Sequence, residues 1–202
     1  MLNVQNLTKT FSDTTVVNSV GFTVGQEEIF ALLGPSGCGK TTTLRLIAGF
    51  ERADHGEIEL MGQLVGGRGT HVPPEKRGIG FVFQNYALFP HLSVIQNVAF
   101  GLKSLPKAKR MKRAEELLEM VQLQDLRYRR PQAMSGGEQQ RVALARSMGP
   151  NPKLILLDEP FSSLDPELRE STRLEVHKLL KSVNMSAILV THDIEEALSF
   201  AD

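Results

Sequence analysis

Eight consecutive residues have the types and the spacing that hold phosphate groups, and they run Gly34-Pro35-Ser36-Gly37-Cys38-Gly39-Lys40-Thr41. Glycines allow the backbone to wrap closely around an anion, so that its N–H groups point inward. In such a loop Lys40 would reach the β- and γ-phosphates, and the Thr41 hydroxyl would hold Mg²⁺. The segment therefore predicts a phosphate-binding loop (P-loop) for a nucleoside triphosphate.

The residues on either side of the loop support this prediction. The apolar run Ile29-Phe30-Ala31-Leu32-Leu33 is typical of a buried strand, and the segment from Thr42 to Ala48 has the apolar spacing of a helix. The helix would direct its positive N-terminal end at the anion, which places Thr42 in the predicted nucleotide site. The alternative is a glycine-rich turn with a chance lysine, and the correct flanks argue against it.

Two adjacent acids follow a second apolar run, Leu154-Ile155-Leu156-Leu157. A buried parallel strand would deliver Asp158 and Glu159 at its carboxyl end, where Asp158 could hold Mg²⁺ and Glu159 could activate water as a general base. Gln84 likewise ends the predicted strand 79–83 and could reach Mg²⁺ or the water. The alternative for all three is an ordinary solvated strand end.

Composition limits the classes of protein that this chain can represent. Its 202 residues allow one domain with a sizeable insertion, and 23 basic residues balance 23 acidic ones. The zero net charge argues against non-specific binding of nucleic acid. The single cysteine, Cys38, allows no internal disulfide and indicates a reducing compartment. Apolar runs are too short to span a membrane, so a membrane role would depend on a partner.

The order of the predicted elements indicates an α/β fold. Residues 2–24 alternate as antiparallel strands do, strands then alternate with helices, and a mostly helical stretch begins at Asn85. We predict a P-loop NTPase (RecA-like) with a mostly parallel sheet, an N-terminal antiparallel β subdomain and an inserted helical subdomain. The predicted organisation is a single domain, residues 1–202, with a core of 1–84 and 152–202 and an insertion at about 85–151.

One further motif distinguishes among P-loop proteins. The segment Ser135-Gly136-Gly137-Glu138-Gln139-Gln140-Arg141 resembles the signature motif of the ABC-transporter ATPase family. The other motifs of that family match in the right order: Phe11 the base-stacking aromatic, Gln84 the Q-loop, Asp158-Glu159 the Walker B acid and the catalytic glutamate, Ser162-Ser163-Leu164-Asp165 the D-loop, and His192 the switch histidine. The resemblance covers the whole chain.

The resemblance implies a mechanism and a set of site residues. Two such domains would close head to tail on ATP and Mg²⁺, each nucleotide lying between one P-loop and the partner's signature motif. The resemblance places Ser135, Gly136, Gly137 and Asp165 at that nucleotide, Phe11 on its adenine and His192 at its γ-phosphate. Without the resemblance, Phe11 is equally well explained as a core side chain.

A shorter segment, residues 85–93, looks like that of bacterial importers for sugars, polyamines, sulfate and ferric iron. In those proteins the insertion receives a short helix of a membrane subunit, which implies that Tyr86, Leu88 and Phe89 line a groove; the alternative is that they are core. The expected function is the ATP-hydrolysing subunit of an importer at the cytoplasmic face of the bacterial inner membrane. The expected cargo is ferric iron, with a solute-binding protein as an indirect partner and no nucleic acid.

Two positions depart from the family pattern, since Glu138 stands where many members carry Gln and Met134 where many carry Leu. Relatives also continue beyond Asp202 with further strands and often a regulatory domain. Two alternatives to the importer function also remain open: a soluble ABC ATPase without a transport role, or a truncated module that binds ATP without efficient turnover.

Overall fold

A computed structural model describes residues 1–202, which form two β-sheets and six α-helices. The strands are β1 (Leu2–Phe11), β2 (Thr14–Val24), β3 (Ile29–Leu33), β4 (His55–Leu60), β5 (Gln63–Gly67), β6 (Thr70–His71), β7 (Ile79–Val82), β8 (Leu154–Asp158) and β9 (Ser186–Thr191). The helices are α1 (Lys40–Ala48), α2 (Val94–Phe100), α3 (Lys107–Met120), α4 (Gly136–Met148), α5 (Pro166–Ser182) and α6 (Ile194–Phe200).

The parallel sheet has the strand order β3-β9-β8-β7. Its two central strands, β8 and β9, are buried along their whole length, which is why their sequences are continuous apolar runs. Alternate residues of β8 serve two separate cores: Ile155 and Leu157 face the core beneath α2–α5, while Leu154 and Leu156 face the core beneath α1. The sheet is thus covered on both faces, and its polar groups emerge only at the strand ends.

The antiparallel sheet has the order β2-β1-β4-β5-β6. The predicted N-terminal antiparallel strands are present, but the sheet also takes in three strands that follow α1. The glycine-rich stretch through Gly66 and Gly69 forms the β5–β6 hairpin. Gly67 (φ 98°) allows β5 to lie close to β4, because a Cβ there would overlap the carbonyl oxygen of Gly56 on β4.

The segment between β7 and β8 is mainly helical, as predicted. Ser93 and Gln96 form a capping box that starts α2, and α3 ends at Met120. The apolar face of α3, with Leu117 and Leu118, is buried against α2 and α4. None of the six helices has the length and apolar character that crossing a bilayer requires. The fold class predicted from the sequence is confirmed; the division at residues 84/85 and 151/152 stays a prediction.

Candidate active site

The predicted P-loop connects β3 to α1 and lines a cavity of about 260 Å³. Gly39 precedes the helix with a φ of 96°, and a Cβ at this position would overlap the carbonyl oxygen of Val16 on β2. Only glycine fits this close approach. The cavity is lined by Val16, Ser36, Gly37, Gly39, Lys40, Thr41, Thr42 and Glu159. Val16 is a lining residue that sequence reasoning missed, because its position depends on how β2 packs against the loop.

Lys40 is a buried cation on the inner side of the loop. Its Nζ donates to the carbonyl oxygens of Gly34 (2.6 Å) and Pro35 (2.8 Å), and it lies 4.0 Å from the Cys38 Sγ. Neutral carbonyl groups hold the ammonium, so its full charge remains available to an anion. A bound phosphate would compete with these carbonyls for the N–H donors of Lys40.

Thr41 and Asp158 bring two oxygen atoms together from different elements. The Thr41 hydroxyl at the start of α1 donates to Asp158 Oδ1 at the end of β8, over 2.7 Å. Burial raises the pKa of Asp158, while the hydrogen bond from Thr41 opposes that shift. Hydroxyl and carboxylate oxygens are hard ligands of the kind that Mg²⁺ prefers. The pair therefore fits the predicted metal-binding role.

Glu159 turns the chain sharply at the end of β8. Its φ of 45° lies in the left-handed region, and its N–H donates to the carbonyl oxygen of Val190 over 3.0 Å. Its Oε2 lies 3.4 Å from Gln84 Nε2 and 3.4 Å from His192 Nδ1. Two predicted catalytic side chains, Gln84 and His192, thus approach one carboxylate oxygen of a third, Glu159, at the P-loop cavity.

The remaining predicted nucleotide-binding residues lie outside this cavity. Ser135 and Glu138 form a capping box, in which Ser135 N–H donates to Glu138 Oε2 (2.7 Å) and Glu138 N–H donates to Ser135 Oγ (3.3 Å). Gly136 is packed against Leu164, and Gly137 against Thr172 of α5. Asp165 caps α5 by accepting from the N–H of Leu168.

Phe11 is also outside the cavity, although it lies close to a strand that lines it. It is 42% exposed at the end of β1, with Lys9 Nζ 5.1 Å from its ring centroid. It pairs with Thr14 of β2, the strand that contributes Val16 to the cavity. The ring is therefore free to meet a ligand, and contact with adenine stays a prediction.

The prediction that Tyr86 lines a partner groove is wrong. Tyr86 is only 6% exposed, and its hydroxyl makes a hydrogen bond of 2.9 Å with Ser163 Oγ. Burial of the ring raises the pKa of this hydroxyl. Leu88 is half-buried against the hydrophobic core that contains Tyr86. Phe89 instead packs on the exposed ring of Phe100 at a centroid distance of 4.3 Å. Sequence alone could not separate these neighbours, because their orientation is set by an irregular turn.

A cluster of three aromatic rings beside Gln84 was not identified from the sequence. The ring centroids of Phe81 and Phe83 lie 4.4 Å apart. The ring of Phe50, which is 47% exposed, lies 5.4 Å from that of Phe81 and 5.9 Å from that of Phe83, centroid to centroid. The available signal was the alternation of Ile79-Gly80-Phe81-Val82-Phe83, which turns both phenylalanines to the face opposite the buried Val82. Such a partly exposed apolar cluster is a surface suited to a protein partner.

Arg77 is a second residue that sequence reasoning missed. Its buried guanidinium donates to the carbonyl oxygens of Leu46 and Ile47 at the end of α1, and to that of Val72. Burial lowers the pKa of Arg77 to about 10. A cation at a helix C-terminus stabilises it, so Arg77 fastens the end of α1 opposite the P-loop.

The parallel sheet, the P-loop and the acid pair at the end of β8 define the class of P-loop NTPases. Within that class, residues 17–162 match the sequence profile of the family described as ABC transporter. The chain belongs to this family. The dimeric structure of MJ0796, a bacterial ABC transporter cassette, superimposes with a TM-score of 0.83 at 31% identity, over 100% of this chain and 91% of that one.

Curated relatives match the whole chain. The spermidine/putrescine import ATP-binding protein PotA of Roseobacter denitrificans is 49% identical, and the putrescine transport ATP-binding protein PotG of Escherichia coli is also 49% identical. The sulfate/thiosulfate import ATP-binding protein CysA of Methylococcus capsulatus is 46% identical. The matches cover 100% of this chain but 55%, 53% and 58% of the relatives, so the chain spans about half their length.

Proposed function

We propose that this chain binds and hydrolyses ATP to power import of a solute across the bacterial inner membrane. The observation that carries the proposal is the position of Glu159, which lines the P-loop cavity while Gln84 and His192 approach the same carboxylate oxygen. A carboxylate at the mouth of a phosphate site is suited to act as general base toward water. The names of the relatives supply the link to import.

The residues of the cavity divide the work of hydrolysis. Backbone N–H groups of the P-loop and the Lys40 ammonium would bind the β- and γ-phosphates. Thr41, Asp158 and Gln84 would hold Mg²⁺, which neutralises phosphate charge when bound. Glu159 would take a proton from water as the water oxygen bonds to the γ-phosphorus, and the bond to the β-phosphate oxygen breaks to leave ADP and phosphate.

His192 and Gln84 orient the groups around this reaction. His192 would contact the γ-phosphate, since its imidazole is half exposed and already lies beside the Glu159 carboxylate. The amide of Gln84 also lies 3.4 Å from Ser162 Oγ, which connects it to the loop that precedes α5. Gln84 also directly precedes residues 85–89, the segment proposed to face the membrane subunits.

A second copy of the chain would complete the site. Ser135, Gly136, Gly137 and Asp165 lie outside the chain's own cavity, and a head-to-tail homodimer would bring them to the partner's nucleotide, with Phe11 against its adenine. The Ser135 hydroxyl and the N-terminus of α4 are groups suited to bind phosphate. A related cassette has been solved as a dimer bound to ADP and Pi, which supports dimer formation as part of the proposal.

Membrane subunits would dock beside Gln84, at the cytoplasmic face of the membrane. The proposed surface consists of Leu88 and Phe89 together with the aromatic cluster of Phe50, Phe81 and Phe83. The expectation of ferric iron as cargo finds no support among the relatives reported above, which are named for polyamines and sulfate. We place the cargo in the polyamine class and expect a solute-binding protein to act indirectly through the membrane subunits.

Steady-state hydrolysis of ATP, with and without the co-purifying membrane subunits in lipid vesicles, tests this function. We expect Mg²⁺-dependent hydrolysis that the membrane subunits stimulate, and uptake of a polyamine into the vesicles. Hydrolysis without any membrane subunit that co-purifies would favour a soluble ABC ATPase. Binding of ATP without hydrolysis in either setting would favour a module that lacks turnover.

A further inference from the structure

The segment after Gln84 has an unusual backbone conformation. Tyr86 (φ 59°) and Ala87 (φ 46°) are consecutive and both lie in the left-handed region, which is disfavoured for residues that carry a Cβ. Their N–H groups donate within the turn, to Phe83 O (2.8 Å) and Asn85 O (2.6 Å). Two such residues in succession persist only where surrounding contacts hold them.

One guanidinium group contacts both left-handed residues. Arg146 Nη2 donates to the carbonyl oxygen of Tyr86 (2.8 Å), and Nη1 donates to that of Ala87 (2.7 Å). The Arg146 Cζ also lies 5.7 Å from the ring centroid of Phe89. Arg146 forms no ion pair with a carboxylate, and burial lowers its pKa. Two carbonyl groups of the left-handed turn therefore satisfy the buried Arg146 guanidinium, and the same two hydrogen bonds stabilise the turn.

Arg146 occupies the last turn of α4, the helix whose first residues are the signature motif. A helix of 13 residues is about 20 Å long. Eight of the 13 residues of α4 are buried, and the helix contacts α2, α3, α5 and β7. Because a packed helix moves as a rigid body, a displacement at Ser135 also displaces Arg146.

We propose that Arg146 is a positioning residue that links the signature motif to the segment after Gln84, so that nucleotide bound at one end of α4 sets the position of residues 85–89 at the other. The inference rests on the proposed function, because it requires two copies to close on ATP. Tyr86 provides a second fixed point, since its hydroxyl contacts Ser163 in the loop before α5. Residues 85–89 are thus tied to both elements that would face the partner's nucleotide.

Hydrogen exchange of the backbone amides in residues 85–89 tests the link, measured on the full chain with and without ATP. A Glu159→Gln background prevents turnover, sedimentation reports dimer formation, and a fluorescent ATP analogue reports affinity. In the Glu159→Gln protein we expect ATP to change exchange in residues 85–89. With Arg146→Met added, that ATP-induced change should be lost while the affinity for the analogue stays the same.

Two further variants make the result decisive. Arg146→Lys keeps the charge but cannot present two parallel N–H groups to two carbonyls, so it should lose the response as well, and it decides the matter if Arg146→Met fails to fold. Arg113→Met removes an arginine that pairs with Glu116 on α3 and should keep the response. A variant that exchanges faster with and without ATP but retains the ATP-induced difference would show a merely structural role and overturn the proposal.

The parent protein separates failure of this link from failure of the proposed function. If ATP produces dimers but leaves exchange in residues 85–89 unchanged, the link through Arg146 is refuted and the ATPase assignment stands. If ATP produces no dimers, the proposed function fails and this inference fails with it.

Discussion

Gln84 and Glu159 are 75 positions apart in the sequence, yet their side chains meet at 3.4 Å between Nε2 and Oε2. The register of the sheet explains the meeting, because Val82 of β7 pairs with Leu157 of β8 and each functional residue lies two positions further on. On the other side of β8, Asp158 pairs with Val190, which brings His192 to the same edge. Three neighbouring parallel strands thus deliver one proposed catalytic group each.

Lys40→Ala should weaken binding of ATP by about 10- to 100-fold, because a hydrogen bond to a charged group contributes about 1.5–3 kcal/mol. The substitution also leaves the carbonyl oxygens of Gly34 and Pro35 without their donor. Titration with a fluorescent ATP analogue measures the change. Lys153→Ala removes an exposed lysine before β8 and should leave the affinity unaltered; an equal loss in both variants would count against a specific role for Lys40.

Glu138→Gln should lower the ATP concentration needed for dimers in a Glu159→Gln background. The observed capping box uses the Ser135 hydroxyl and N–H that the proposed dimer directs at phosphate, and Glu138 adds a like charge there. Glutamine keeps a capping-capable side chain, so stability of the single subunit should change by less than about 1 kcal/mol.

Sedimentation across an ATP titration measures the dimerisation midpoint for Glu138→Gln. Glu119→Gln, which neutralises an exposed acid of α3, serves as the matched control and should leave the midpoint where it is. An unchanged or raised midpoint for Glu138→Gln would refute the idea that Glu138 restrains closure.

Substitutions of Tyr86 should affect stability, whereas substitutions of Leu88 and Phe89 should affect coupling to the membrane subunits. Tyr86→Ala empties a core position and should cost about 3–5 kcal/mol of unfolding free energy, while Tyr86→Phe loses only the hydrogen bond to Ser163, about 1 kcal/mol.

Polar replacements of Leu88 and Phe89 should spare hydrolysis by the free chain but abolish its stimulation by membrane subunits. Denaturant unfolding and coupled hydrolysis measure the two effects; equal loss of free and coupled hydrolysis would place Leu88 and Phe89 in the core.

Glu196 should make stability depend on pH. Burial raises its pKa above 4.5, although the hydrogen bond from Thr191 and the charges of Arg173 and Arg169 oppose the shift and the charge of Asp193 reinforces it. Since the folded state binds this proton more tightly than the unfolded state, the contribution of Glu196 to stability is lost as the pH rises above 4.5 toward its folded pKa.

Glu196→Gln should remove this pH dependence, because the amide oxygen still accepts from Thr191 without titrating. Unfolding free energies of the two proteins, measured across the acid range, should therefore diverge as the pH rises, with the parent becoming relatively less stable. A difference that stays constant with pH would show that the carboxyl group titrates alike in both states.

The sequence predicted those features that depend on local chemistry. The P-loop and the buried strand before Asp158 each carry their own signal in residue type and spacing. The predicted parallel sheet was also confirmed, because strands joined by crossover helices share their direction.

Features that depend on distant contacts could not be predicted. The burial of Tyr86 follows from two left-handed residues held by Arg146, 60 positions away. The β5–β6 hairpin has only short strands and several glycines, so its pattern resembles a loop until β4 is present to pair with it. Arginine side chains are usually exposed, but Arg77 is buried, because carbonyl groups at the end of α1 accept hydrogen bonds from its guanidinium group.

The ATPase activity of Glu159→Gln tests the account most directly. Glutamine occupies the same volume but cannot accept a proton, so hydrolysis should fall by about 100-fold or more while affinity for ATP is preserved. Addition of ATP should then accumulate a dimer that the parent forms only transiently. Hydrolysis by Glu159→Gln at the rate of the parent would contradict the assignment of Glu159 as the base, and with it the proposed mechanism.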